Sequence, residues 1–89
     1  MIKTQLTIIN KLGLHARAAA KFVATSSAFA SSIRTGKSGR LIDGKSIMQV
    51  MMLAAAKGSV LDFEIDGEDE AEALAAISKL IDNYFDEGE

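Results

Sequence analysis

The sequence lacks cysteine, proline and tryptophan, and it contains one histidine, His15, among 89 residues. Without cysteine no disulfide forms, and one histidine is too few for a histidine-rich zinc site, so any metal would need carboxylate ligands. No secretory leader and no apolar run of about 18 residues occurs. These absences predict one domain over residues 1–89 that needs no metal or cofactor, stays in the cytoplasm and does not insert into a membrane.

The formal charge of −2 hides an uneven distribution of charged residues. Residues 1–57 carry nine basic side chains and one acidic one, whereas residues 58–89 carry eleven acidic and one basic. Such asymmetry marks a basic surface for an acidic partner, unless folding places the two halves side by side and cancels the field. Sequence position alone leaves both interpretations open.

The spacing of apolar residues predicts secondary structure in the order β-α-β-β-α-β-α. Strands are expected over 2–9 and 61–65, with a hairpin of two short strands around Gly36 and Gly39. Helices are expected over 16–28, from Ser46 to Gly58, and after Gly67 through Phe85. The acidic residues after Phe85 are expected to fray. They are Asp86, Glu87 and Glu89.

This order predicts an α+β fold in which three helices cover one face of a four-stranded, mainly antiparallel sheet. The other face is expected to meet solvent. Its predicted residues are Lys3, Gln5, Thr7, Asp62, Glu64 and Arg34. All aromatic residues fall at positions predicted for the core, namely Phe22, Phe29, Phe63, Tyr84 and Phe85.

His15 follows a turn at Gly13 and precedes the first predicted helical residues. A helix start presents unpaired amides and partial positive charge, and Arg17 adds a planar fork for phosphate oxygens. A neutral imidazole there is a nucleophile that can accept a phosphoryl group. The surrounding alanines predict a shallow site, which suits a group carrier better than a self-sufficient enzyme. Spacing alone, however, favours a histidine that only caps the helix or packs in the core.

Ser46 and Gln49 match a reciprocal capping box, and a phosphate on Ser46 would be stabilised at the helix start, helped by Lys45. The following residues are apolar almost all round the helix. They include Ile47, Met48, Val50, Met51, Met52 and Leu53. Some of them must be exposed, and an adaptable methionine patch suits docking of several partners, although core filling is the alternative.

Two other classes of protein are alternatives to a carrier. An RNA-binding or regulatory α+β module would need exposed aromatic and basic residues on the open sheet face, where acids and bases are mixed. A stand-alone hydrolase or kinase would need a glycine-rich nucleotide loop, a nucleophile elbow or paired carboxylates. The sequence contains none of these motifs, so no nucleic-acid partner and no catalytic activity of its own are expected.

Two segments, Gly13-Leu14-His15-Ala16-Arg17 and Gly44-Lys45-Ser46-Ile47-Met48, resemble the signature segments of the HPr family of phosphocarriers. The resemblance covers the whole chain. It implies an open-faced β-sandwich whose His15 accepts a phosphoryl group from enzyme I and passes it to enzyme IIA components. In that family Arg17 matches the phosphate-binding residue, and Ser46 matches the serine that an HPr serine kinase/phosphorylase modifies in some bacteria. The implied docking residues are Ala20, Ile47, Met48 and Met51, on a chain expected to be monomeric.

The sequence departs from the family pattern at two places. Ala18 stands where proline is common, and neutral Ala24 and Ser27 replace basic residues of the first helix. The resemblance fits both the sugar-transport carriers and their paralogue of the nitrogen branch, NPr. The run from Lys45 to Ile47 favours a general carrier that can be regulated at serine.

Overall fold

The computed structural model describes residues 1–88 and contains four strands, three α-helices and one short turn of 3-10 type. The strands are β1 (Ile2–Thr7), β2 (Ser32–Lys37), β3 (Arg40–Asp43) and β4 (Val60–Asp66). The helices are α1 (Ala16–Ser27), α2 (Ile47–Met52) and α3 (Glu70–Asp82), and the turn spans Tyr84–Asp86. The predicted element order is confirmed. Within residues 1–88, no helix is both long and apolar enough to span a bilayer.

The sheet has the strand order β1-β4-β2-β3, and every neighbouring pair is antiparallel. In the register of β1 on β4, Ile2 lies opposite Ile65 and Lys3 lies opposite Glu64. Across the next pair, Arg34 of β2 lies opposite Glu64. The basic and acidic halves of the chain therefore interleave in the sheet. Opposite charges lie side by side on the sheet face that carries Lys3, Arg34 and Glu64.

The core fills the space between one sheet face and the helices. Phe22 of α1 and Phe63 of β4 are almost fully buried, with ring centroids 6.1 Å apart. Each buried aromatic ring stabilises the fold by about 1.5–3 kcal/mol relative to an exposed one. On the opposite sheet face, Gln5 Nε2 donates to Asp62 Oδ1 at 2.8 Å. The prediction of a solvent-facing polar surface is confirmed.

The hairpin between β2 and β3 uses its two glycines differently. Ser38 and Gly39 form the two-residue turn, with φ of 54° and 80°. Gly36 instead belongs to β2, where a Cβ atom would lie 1.7 Å from the Arg40 carbonyl oxygen. Its role is thus close backbone approach, and only Gly39 supplies the left-handed glycine of the turn.

Three predicted boundaries are wrong. α3 ends at Asp82 instead of continuing through Phe85, because Tyr84 and Phe85 adopt left-handed φ values. β1 ends at Thr7, and the next residue, Ile8, exchanges backbone hydrogen bonds with the turn at 58–59. α2 ends at Met52 because Ala54 adopts a left-handed φ of 49° without needing a glycine. Gly58, at φ of 91°, serves the turn into β4 instead of ending the helix.

The C-terminal segment is not frayed as predicted. Tyr84, Phe85 and Asp86 take φ values of 56°, 52° and 64°, which reverse the chain after α3. Left-handed backbone costs roughly 1–2 kcal/mol per residue without glycine, so tertiary contacts must hold it. Phe85 is fully buried and its carbonyl accepts from Lys21 Nζ at 2.9 Å. Tyr84 is 38% exposed, so the prediction that it lies in the core is wrong. Glu89, also predicted to fray, lies outside the described residues.

Candidate functional site

The turn before α1 positions His15. Gly13 has a φ of 68°, and a Cβ atom there would lie 2.4 Å from the Ala55 carbonyl oxygen. The next residue, Leu14, donates its N–H to that same oxygen at 2.8 Å and is buried. The segment after α2 therefore holds the residue immediately before the histidine.

His15 is the N-cap residue of α1, as the sequence predicts. Its backbone is extended and its carbonyl accepts from Ala19 N at 2.8 Å. The imidazole makes no capping hydrogen bond to its own helix. Its side chain is 29% exposed. The ring is therefore a reachable group beside the first-turn amides, with no structural role inside α1.

A carboxylate from the far end of the chain contacts the ring. His15 Nε2 and Glu87 Oε2 are 2.5 Å apart. The other oxygen, Glu87 Oε1, accepts from Asn10 Nδ2 at 3.1 Å, and Asn10 Nδ2 also donates to the Gly13 carbonyl at 2.8 Å. The carboxylate thus bridges the histidine and the turn that carries it.

Sequence reasoning missed Glu87 and Asn10 as residues of this site. It placed Glu87 in a frayed tail and gave Asn10 no role in the site. The one local signal was Phe85, an apolar residue at helical spacing whose burial anchors the segment. That signal predicts an anchored tail but gives no direction for the carboxylate that follows.

A cleft of about 300 Å³ lies beside the histidine turn. Its lining residues are Leu12, Arg17, Lys21, Asp86 and Glu87. Arg17 lies in the first turn of α1 and is exposed, whereas Lys21 Nζ contacts the C-terminal segment. Lys21 Nζ is also 4.0 Å from Asp86 Oδ2. Of the two cations in the cleft, Arg17 is the one that lies in the first turn of α1, two residues after the N-cap His15.

Ser46 is the N-cap residue of α2, and its hydroxyl accepts from Gln49 N at 3.3 Å. The return half of the predicted capping box does not form. Gln49 Oε1 accepts instead from Asp43 N at 3.0 Å, and Ser46 N donates to the Asp43 carbonyl. Lys45 Nζ donates to the Phe29 carbonyl at 2.7 Å, so its ammonium ties α2 to the end of α1.

The apolar side chains of α2 divide between core and surface. Val50 is fully buried, while Met48 and Met52 are 71% and 79% exposed. Ile47 and Met51 are also exposed, as is Ala20 of α1, the helix that packs against α2. The expectation that part of this segment faces solvent is confirmed. We call Ile47, Met48, Met51 and Met52 the methionine patch.

Comparison with known proteins places this architecture in a family. A family model described as the PTS HPr component phosphorylation site, where PTS stands for phosphotransferase system, matches residues 2–83. The phosphocarrier protein HPr of Neisseria meningitidis is 56% identical over 89 residues, which is 100% of both chains. That of Pseudomonas aeruginosa is 57% identical over 86 residues, or 96% of each.

Solved structures agree with this placement. The crystal structure of HPr-C-His from Thermoanaerobacter tengcongensis superposes with a TM-score of 0.93 at 42% identity, with 98% of each chain covered. HPr from Bacillus anthracis gives 0.85 at 35% identity, covering 90% of this chain and 95% of its own. The fold is that of a class of group carriers. The chain belongs to the HPr family, the phosphocarriers of the phosphotransferase system, which carry a phosphoryl group and are not catalysts.

Proposed function

We propose that His15 accepts a phosphoryl group from phosphorylated enzyme I and passes it to enzyme IIA components. The observation that carries this proposal concerns the His15 side chain at the start of α1. This side chain is 29% exposed and makes no capping hydrogen bond, although the N-cap position adjoins the helix amides. A nucleophile beside unsatisfied donors suits transfer of an anionic group.

The transfer needs few protein groups. A ring nitrogen of His15 forms a bond to phosphorus while the donor's bond to phosphorus breaks. Negative charge on the transferred oxygens is met by the first-turn amides of α1 and by the Arg17 guanidinium, whose planar fork matches two phosphate oxygens. The donor and recipient proteins supply the remaining catalytic groups, so a shallow site is sufficient.

We assign partner docking to Ala20 and to three residues of the methionine patch, namely Ile47, Met48 and Met51. These residues are exposed on helices that pack against each other, and unbranched methionine side chains adapt to partners of different shape. One surface can then serve enzyme I and several enzyme IIA components in turn. We propose that the chain acts as one monomeric cytoplasmic carrier domain without a nucleic-acid partner.

Ser46 is proposed as a second, regulatory phosphorylation site for an HPr serine kinase/phosphorylase. A phosphate at the start of α2 is favoured by the helix dipole, so modification need not unfold the helix. The added charge would stand next to Ile47 and Met48 and weaken apolar docking there. This regulation favours the general sugar-transport carrier over the nitrogen-branch paralogue.

The test is intact-protein mass spectrometry with enzyme I and phosphoenolpyruvate, followed by mild acid, which hydrolyses phosphohistidine but spares phosphoserine. We expect one acid-labile phosphate on the wild type, none on His15→Ala, and one on the matched control Ser46→Ala. Normal labelling of His15→Ala would contradict the assignment of the acceptor. An unlabelled wild type beside an active enzyme I would contradict the proposed function.

A further inference from the structure

The C-terminal segment carries a carboxylate onto the only histidine of the chain. The Glu87 side chain is 12% exposed, so water has little access to it. Its two oxygens are used separately, one by His15 Nε2 and the other by the amide of fully buried Asn10. A carboxylate held at both oxygens has a set orientation toward the ring.

The backbone of this segment also limits where Glu87 can go. Buried Phe85 anchors the segment against the core, and Lys21 Nζ binds the Phe85 carbonyl. Asn83 Nδ2 donates to Asp86 Oδ1 at 2.6 Å across the left-handed turn. These contacts fix the chain immediately before Glu87, so its contact with His15 is built into the fold.

We propose that Glu87 is a positioning residue that keeps the proton of His15 on Nε2 and leaves Nδ1 as the nucleophilic nitrogen. This inference rests on the proposed function. An ionised carboxylate only accepts hydrogen bonds, so the contact requires a proton on Nε2. A neutral imidazole carries one N–H, so its lone pair is then at Nδ1. Carboxylates orient imidazole rings in this way in catalytic triads and metal sites.

The same contact assists the transfer itself. As Nδ1 forms its bond to phosphorus, the donor takes the electron pair of the bond that breaks. The proton stays on Nε2, and the His15 ring acquires positive charge. That charge develops 2.5 Å from the Glu87 carboxylate oxygen, which was oriented before the reaction. A preorganised opposite charge stabilises the transition state and the phosphorylated ring.

The first experiment reads the ring directly. The chain has one histidine, so nitrogen NMR of a ¹⁵N-histidine sample reports His15 alone, and neutral tautomers differ in their ring nitrogen shifts. We expect the Nε2–H form to dominate in the wild type and a mixture in Glu87→Ala. Glu87→Gln retains a carbonyl acceptor and should restore the Nε2–H form. Asp82→Asn removes one charge from the exposed end of α3, outside the site, and should match the wild type.

The second experiment measures the rate of phosphoryl acceptance from enzyme I. We expect Glu87→Ala to be about tenfold slower, which corresponds to one charge-assisted hydrogen bond. Asp82→Asn should stay within about twofold. Backbone amide spectra around Phe85 verify that the segment stays docked in each variant.

The outcomes separate this inference from the function on which it rests. An active wild type whose tautomer and rate are unchanged in Glu87→Ala would overturn the positioning role and leave the carrier function intact. A wild type with mainly the Nδ1–H form would overturn it as well. A wild type that accepts no phosphoryl group would overturn both.

Discussion

The three helices begin in different ways, although each N-cap residue is polar. Ser46 caps α2 with its own hydroxyl. His15 at α1 and Asp69 at α3 make no side-chain bond to their own helices. His15 instead contacts Glu87, 72 residues away, and Asp69 binds Ala30 N and Ser31 N at 2.9 Å, more than 35 residues away.

The comparison shows that an N-cap side chain can serve either its own helix or a distant segment. Where it serves the helix, as at Ser46, one of the first-turn amides is satisfied. Where it turns away, as at His15, those amides lack a side-chain acceptor and stay available to an anion. The first turn of α1 is therefore less stable than it would be with a capping side chain, and this turn borders the proposed phosphoryl site.

The largest effect on this comparison should come from Gly13→Ala, which disturbs the turn that sets the direction of His15. A left-handed φ of 68° and overlap with the Ala55 carbonyl should together cost roughly 2–4 kcal/mol of unfolding free energy. Urea unfolding measures the loss. Gly39→Ala is the control: its φ is also positive, but no atom lies within 4 Å of the added Cβ. Equal losses in both variants would contradict the role of the Ala55 contact.

Arg17→Ala tests whether the uncapped helix start is sufficient for transfer. Without the guanidinium, the transferred oxygens keep only the amides, so acceptance from enzyme I should slow about 10- to 100-fold. Rapid-quench labelling measures this rate. Arg17→Lys retains the charge but not the planar fork, so its rate should lie between those of the wild type and Arg17→Ala. Because Arg17 is exposed, the thermal unfolding temperature should barely change in either variant. A wild-type rate in Arg17→Ala would show that the first-turn amides are sufficient for transfer.

Ser46→Asp separates charge from capping at α2. Aspartate caps a helix as well as serine does, so unfolding free energy should stay near that of the wild type. The new charge beside the methionine patch should weaken enzyme I binding by about threefold to tenfold at low salt. Calorimetric titration measures the affinity. Unchanged binding would argue against the proposed regulation.

Ser46→Ala removes the only capping side chain among the three helices of residues 1–88. We expect a loss of about 1 kcal/mol, because one first-turn amide loses its acceptor. Ser46→Thr keeps the hydroxyl and should lose only a few tenths of this. Denaturant midpoints of the two variants check the difference, and equal midpoints would mean that the hydroxyl contributes nothing.

The smallest effect concerns pH and Asp69. The Ser31 hydroxyl and the N–H groups of Ala30 and Ser31 donate to this carboxylate and hold its pKa below the ordinary value of 3.8. Because the pKa is lowered on folding, the stabilisation is complete above the unfolded value and disappears as pH falls through the folded one. The stability difference between wild type and Ser31→Ala should therefore shrink on acidification below about pH 4. Unfolding curves across that range test this, and a difference that grows would contradict the sign.

Local patterns accounted for much of the fold. Alternation in 61–65 predicts β4 within two residues, and the alanine-rich run after His15 predicts α1 to within one. These predictions work because periodicity records which face of a segment is buried. The end of α2 was wrong because glycine is only one route to a left-handed residue, and Ala54 takes that conformation under tertiary contacts.

The sequence by itself determined the order of the elements, the open polar sheet face, and a histidine followed by Arg17 at a helix start. Only the tertiary structure decided that His15 turns away from its helix, and that Glu87, held by Asn10, contacts the imidazole ring. The reason is physical: hydrophobic spacing and capping act over a few residues. Glu87 is 72 residues from His15 in the sequence and reaches the ring through a left-handed turn after α3. Local backbone preference disfavours this turn, and the burial of Phe85 stabilises it.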